Sequence, residues 1–423
     1  MAAKSQVTRT VRGWVLIAAA SLALAGMGST LALAQEDKEK DKPKIEVYGF
    51  VQADYIQDFD RVDPLWTDTL RPSKIPTTEG LFGEDGQAYL SAKQSRLGVM
   101  MNFPTSNKTV YTKFEFDMFG VGGDAGQTTI RLRQAYGQWG EWLAGQTNSL
   151  FMDGDIFPNI IDYWGPCGMV FLRDPQIRWT PISGDHSFAI AIERPSNDID
   201  PGQLREFDPD LFTGIQGSQK VPDFTAQYRM KQDWGHIQFA GILRDVAFDT
   251  ADTPGNEPNG SELGWGVDVT STINVGKEDK FLLGAVYGEG IASYMNDGGV
   301  DLAPGGTLVD PHAEAVPLLG ISAYYNRYWS EKFSSSFGVS QTKVDNTSLQ
   351  DTDAFQRCQY VSGNLIYYPT KNVFIGGEAL WGQRKDNDGA TGDDTRIQIS
   401  FHFSFSSKDV MGLRRNEDGP EKE

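Results

Sequence analysis

The sequence predicts an all-β chain, a transmembrane up-and-down antiparallel β-barrel of about sixteen strands, and three observations predict it. Apolar and polar residues alternate on period two through run after run, mostly near the nine to eleven residues with which a tilted strand crosses a bilayer. The connectors between these runs alternate short and long, as a barrel with turns on one side of the membrane and loops on the other requires. Beyond Ala34, no apolar stretch approaches the roughly twenty residues of a membrane helix.

Residues 1–34 read as a signal peptide. Lys4, Arg9 and Arg12 precede a short apolar run, and Ala32-Leu33-Ala34 supplies the small residues a signal peptidase reads. Without this segment the formal charge of −19 loses three positive charges and becomes −22. Such an acidic balance argues against a nucleic-acid partner. Residues 35–44 (QEDKEKDKPK) form a charged periplasmic linker, 45–405 the barrel, and 406–423 a charged tail expected to be disordered in the periplasm.

Strand candidates are Ile45–Phe59, Ala88–Phe103, Thr109–Phe119, Thr128–Gly140, Trp142–Leu150, Gln176–Pro181, His186–Arg194 and Asp223–Lys231. They continue with Trp234–Phe248, Ser261–Asn274, Lys280–Tyr294, Val316–Trp329, Phe333–Val344, Gln356–Tyr368, Val373–Lys385 and Thr395–Phe405. Thr395–Phe405 carries the pattern most cleanly. Ile397, Ile399, Phe401, Phe403 and Phe405 share one face, and Arg396, Gln398, Ser400, His402 and Ser404 share the other. Gln356–Tyr368 is less clean. Trp139, Trp142, Trp179, Trp234, Tyr328, Trp329, Tyr367, Tyr368 and Phe405 all sit beside short turns, as an interfacial girdle predicts.

Catalytic and metal-binding patterns are missing from the sequence. His186, His236, His312 and His402 are dispersed, and there is no nucleophile elbow, paired-His motif or phosphate-binding glycine loop. No cofactor, metal or enzymatic activity is expected. Cys167 and Cys358 are compatible with one disulfide or with two inert thiols.

Basic residues on expected inward faces carry the functional signal. In TIRLRQAYG, Arg131 and Arg133 alternate with Ile130 and Leu132, and Arg96, Lys113, Arg178 and Arg396 point inward by the same parity. A guanidinium strip grips carboxylate or phosphate in a forked geometry at several weak sites. The plainer alternative is that Glu115 and Asp117 merely neutralise these arginines. The connector Phe151–Asp174 (FMDGDIFPNIIDYWGPCGMVFLRD) is far more apolar than the other loops. It is expected to fold inward after strand five as a constriction loop. Asp153, Asp155 and Asp162 would then face the basic strip and set up a transverse field, with Arg173 at the end of the loop.

The segments VYGFVQADYIQDFD, QSRLGVMMNFP, TIRLRQAYGQW and DGDIFPNIIDYWGP, in this order, resemble the DcaP-like porins over essentially the whole mature chain. The resemblance implies a homotrimeric, sixteen-stranded porin of the bacterial outer membrane with an arginine-rich constriction favouring small anionic solutes such as dicarboxylates. By motif, Arg96, Arg131 and Arg133 become constriction or wall residues, and Asp153, Asp155 and Asp162 lie on the inserted loop. The lipid bilayer and lipopolysaccharide are the implied surroundings. Two features depart from the pattern: residues 35–44 are too short for the coiled coil some relatives carry, and eighteen residues follow Phe405, where such barrels usually end. Competing readings are a phosphate-selective porin, a surface adhesin or receptor barrel with a closed lumen, and an outer-membrane hydrolase.

Overall fold

The computed structural model describes residues 43–120, 128–209 and 214–409. The expected signal segment, the linker as far as residue 42 and the tail from 410 onward lie outside the described residues. Sixteen antiparallel strands form the wall: β1 Lys44–Asp58, β2 Arg96–Pro104, β3 Thr109–Gly120, β4 Thr129–Trp139, β5 Trp142–Asn148, β6 Arg173–Ile182, β7 His186–Glu193 and β8 Asp223–Gln232. They continue with β9 Gly235–Thr250, β10 Gly260–Val275, β11 Asp279–Glu289, β12 Pro317–Ser330, β13 Phe333–Val344, β14 Phe355–Thr370, β15 Val373–Asp386 and β16 Thr391–Ser406. Each pairs with its neighbour in sequence, and β16 closes on β1 from Tyr48–Ser406 to Asp58–Arg396. Closure leaves no edge of unpaired backbone groups facing lipid.

Side-chain parity sets inside and outside. Ile397, Ile399, Phe401, Phe403 and Phe405 are exposed on the outer face, whereas Arg396, Gln398 and Ser400 are fully buried on the inner one. Trp139, Trp142, Trp179, Trp234, Tyr328, Trp329 and Phe405 are exposed at the end bearing the short turns. Tyr368 departs from the girdle: its hydroxyl accepts from Asn159 Nδ2 at 3.2 Å inside the barrel.

Several boundaries differ from expectation. The second strand breaks at Ala92–Ser95, between a short piece Ala88–Ser91 and β2; there Gln94 Nε2 donates to the carbonyl of Ile161 at 3.0 Å instead of extending the ladder. The eleventh strand stops at Glu289 rather than Tyr294, because Ile291, Ala292 and Tyr294 turn inward and are buried. A β-bulge in β4 puts both Arg133 and Gln134 inside.

The segment between β5 and β6, residues 149–172, lies inside the barrel. Phe151 and Cys167 are fully buried, with Leu150, Met152, Ile156, Ile161, Met169 and Val170 nearly so. An apolar segment is stable there only because one side of the wall departs from a polar interior. Inward positions on β9–β15 include Ile242, Val286, Leu318, Val344, Tyr360 and Leu380, which join it in shared apolar clusters. Each buried large aliphatic or aromatic side chain contributes about 2 kcal/mol. Glycines complete the seat: a Cβ at Gly266 would press on Phe151, at Gly284 on Ile156 and at Gly376 on Ile161.

Two further connectors fold over the same side. Leu70, Ile75 and Val62 of the β1–β2 connector are buried in one of these clusters, and Ile291, Tyr294 and Met295 in the other. Arg71 lies over the Trp66 and Trp164 rings, 4.5 Å from each centroid, and its Nε is 2.7 Å from Asp297 Oδ1. One guanidinium therefore ties three connectors together. Buried Arg244 does similar work near the mouth. It donates to Asp223 Oδ2 and Asp301 Oδ1, both at 2.9 Å, and to the carbonyls of Gly290 and Ser196, both at 2.6 Å.

The tightest point of the seat is Gly168, where a Cβ would collide with the carbonyl oxygens of Gln341 and Ile321. Gly168→Ala is expected to cost roughly 1–3 kcal/mol as overpacking. Thermal unfolding of the purified barrel in detergent, followed by tryptophan fluorescence, should show a lower midpoint; an unchanged midpoint would mean the segment is not held against this wall.

Candidate functional site: a basic arc facing the inserted segment

Opposite the apolar side, the inward faces of β2, β3 and β4 are charged. Strand pairing places Arg96 beside Asp117 and Asp117 beside Arg131, so charges of opposite sign face one another across the ladder. Arg131 grips Asp117 in a fork, Nη2 to Oδ2 at 2.7 Å and Nε to Oδ1 at 3.1 Å. Arg133 bridges both acids, with Nε 2.8 Å from Glu115 Oε1 and Nη1 2.9 Å from Asp117 Oδ2. Lys113 Nζ lies 3.4 Å from Glu115, and Arg96 Nη1 only comes within 3.9 Å of it. Two carboxylates thus serve four cations. Tyr48 donates to Glu115 at 2.7 Å and occupies a further lone pair.

Arg173, the first residue of β6, adds a fifth positive charge. Its guanidinium lies over the Phe171 ring at 4.9 Å and within electrostatic reach of Arg133, Arg131 and Arg96. Among the described residues it has no ion pair. Arg178 belongs to the neighbouring stretch of wall, donating to Gln176 Oε1 at 2.9 Å and to the Asn148 carbonyl. Arg396 needs a correction. It is inward by parity but fully buried, held by Asp58 at 2.5 and 3.0 Å. A guanidinium sealed this way is not open to a solute, because exposing it would leave Asp58 buried and unpaired.

The loop acids are also placed differently from expectation. Asp153 Oδ2 lies 2.7 Å from both His236 Nε2 and Thr270 Oγ1, and Asp155 pairs with Arg229, all on β8–β10. Asp162 accepts from Thr69 Oγ1 at 2.8 Å, Leu70 N at 3.0 Å and Tyr360 OH at 3.1 Å. These carboxylates fasten the segment to the far wall and to the β1–β2 connector rather than facing the basic strip. A carboxylate entering a protein interior takes the nearest donors, because unbonded burial is costly. Burial pushes the Asp153 carboxyl up, but the His236 hydrogen bond and the Arg229 charge outweigh it and hold it below the ordinary carboxylate range. Burial pushes Asp162 up.

What meets the strip is an aromatic. Tyr163 stacks on Phe119 with ring centroids 3.8 Å apart, donates to Asp117 at 2.6 Å and accepts from Arg133 at 2.7 Å. Sequence reasoning also missed Glu378, whose Oε2 accepts from the backbone N–H groups of Ile161 and Asp162, both at 2.7 Å. Its signal was present: a lone acid on the inward parity of an otherwise small and apolar strand, GGEALWG. Cys167 and Cys358 are free and buried, with Cys167 Sγ 3.7 Å from the Cys358 carbonyl.

The sequence profile of the family described as "DcaP outer membrane protein" matches residues 29–405. The chain belongs to this family. Members are outer-membrane proteins, and this DcaP-family barrel is an outer-membrane channel by fold and family. Its fold is similar to the outer membrane channel DcaP of Acinetobacter baumannii, at TM-score 0.73 and 22% identity, covering 89% of this chain and 100% of that one. It is more distantly similar to the anion-selective porin from Comamonas acidovorans, at TM-score 0.55 and 8% identity, over 86% of this chain and 100% of that one. Salmonella typhi OmpF in complex with daunomycin gives TM-score 0.53 and 12% identity, over 86% and 99%. Comparison with curated protein sequences gives no match.

Asp153 is the fastener with the most to lose. Asp153→Ala leaves His236 and Thr270 without their acceptor and is expected to destabilise the barrel by about 3 kcal/mol. Urea unfolding in detergent should show it as a lower midpoint with a similar slope; wild-type stability would mean the segment is held elsewhere.

Proposed function

We propose that the protein is a passive, anion-preferring porin that passes small carboxylates, dicarboxylates among them, and works as a homotrimer. The observation that carries this reading is the charge imbalance of the arc. Arg96, Lys113, Arg131 and Arg133 share only Glu115 and Asp117, and Arg173 beside them adds a charge with no ion pair among the described residues. The two acids hold the guanidiniums in place, and the surplus charge is left for a solute.

The path follows from the packing. Three connectors occupy the β9–β15 side and the inward residues of β16 and β1 are packed, so water and solute are left the arc from β2 round to β6. Side chains of Lys113, Arg96 and Arg131 retain 22%, 25% and 31% exposure there. The segment 149–172 narrows the lumen by presenting Tyr163 to the strip, and its acids are turned away. A carboxylate entering this gap meets forked donors and no opposing carboxylate beyond those already paired. Several such donors in a row bind loosely enough to let it leave. Residues 1–34 direct export and are removed.

Arg173 is the sharpest test because its removal strands no partner. A unit charge about 5 Å from the path in water is worth about 0.8 kcal/mol, about fourfold in local anion concentration. In planar bilayers under a KCl gradient, the wild-type reversal potential should report anion preference. Arg173→Gln should move it towards zero with single-channel conductance steps still present. Cation preference in the wild type, or an unmoved potential in the variant, would reject the arginine mechanism, and no conductance at all would reject the porin.

A further inference from the structure

On the outer surface, at the long-loop end of the wall, strand register places Lys343 of β13 directly beside Arg357 of β14, and Arg357 beside Lys385 of β15. All three have outward parity, since Thr342, Val344, Cys358 and Asp386 next to them are buried inward. Like charges directly opposed across a ladder destabilise a sheet. Lys343 has a surface pair, 2.8 Å from Asp345, in which both side chains are at least half exposed, an arrangement of little strength. Neither Arg357 nor Lys385 has a side-chain partner among the described residues. In a chain of formal charge −19, three adjacent cations on one face call for an external anion.

The rows beneath identify where that anion sits. One step towards the membrane lie Gln341, Gln359 and Gln383, side by side, with Gln359 donating to Gln341 at 2.9 Å. Asp393 stands across from Gln383 at the edge of this row. One step further are Val339, Val361 and Trp381, opposite one another on the apolar band. At roughly 3.3 Å per residue and a strand tilt near 40°, the basic row stands about 10 Å above the valine–tryptophan row. That is the level where hydrocarbon gives way to headgroups. The order apolar, amide, cationic matches acyl chain, sugar and phosphate of a phosphorylated glycolipid. The connector between β15 and β16, residues 387–390, is short and leaves the face open to lipid.

We propose that Lys343, Arg357 and Lys385 form a binding site for the phosphate groups of lipopolysaccharide in the outer leaflet, with the glutamine row meeting its sugars. The inference rests on the outer-membrane placement of the barrel and is independent of which solute the lumen passes.

The test uses the whole barrel in detergent, titrated with lipopolysaccharide and with the same lipopolysaccharide enzymatically dephosphorylated. Wild-type protein should bind the phosphorylated form more tightly. Each charge removed by Lys343→Gln, Arg357→Gln or Lys385→Gln should weaken binding about fivefold, and all three about one-hundred-fold. Channel conductance of the triple variant should match the wild type, because no lumen residue changes; this also certifies its fold. Equal binding of both lipid forms by the wild-type protein, or equal binding by wild type and triple variant, would overturn the proposal. Loss of anion preference in bilayers would bear on the lumen and leave this site standing.

Discussion

A β-barrel wall that alternates apolar outside and polar inside has no place for an apolar segment in its lumen unless the wall makes one. The interior of this channel depends on that constraint. Ile242, Val286, Leu318 and Leu380 and the inward glycines on β10, β11, β12 and β15 break the polar lining on one side only, and residues 149–172 fill the resulting seat. Burying that surface stabilises the assembly, and polar fasteners at Asp153, Asp162 and Glu378 fix its register. Because the seat is one-sided, the lumen is one-sided too.

The charged arc is the other half of the same asymmetry. On β2–β4 the inward positions stay polar, and two carboxylates hold more cations than they neutralise. Tyr163 links the halves, stacking on Phe119 and bonding both Asp117 and Arg133 from the inserted segment. The inserted segment therefore rests directly on the guanidinium wall at this point, with the Tyr163 hydroxyl held between Asp117 and Arg133. On the proposed anion path, donors already oriented by their acids would lose less entropy on gripping a carboxylate than free arginines.

Strand count and strand parity were legible because period two is a local signal that lipid outside and water inside both enforce. The interior was legible in part. The apolarity of FMDGDIFPNIIDYWGPCGMVFL announced its burial, yet the direction of Asp153, Asp155 and Asp162 depended on donors over seventy residues away, such as Arg229 and His236. The uneven pattern of the fourteenth strand had a reason: Cys358, Tyr360 and Ile366 face inward because they form part of the seat. Arg396 shows the limit of parity, which gives a side chain's face but not whether a neighbouring carboxylate seals it.

Thiol accessibility during conductance separates the proposed water path along the basic arc from the filled opposite side. Cys167 and Cys358 are fully buried and serve as a silent background. Lys113→Cys lies on the arc and Thr342→Cys on the filled side, both with inward side chains. A charged, membrane-impermeant methanethiosulfonate reagent should cut the current through the Lys113→Cys channel within minutes and leave the Thr342→Cys channel unchanged. Reaction at position 342 without reaction at 113, or equal reaction at both, would mean that water does not follow the basic arc.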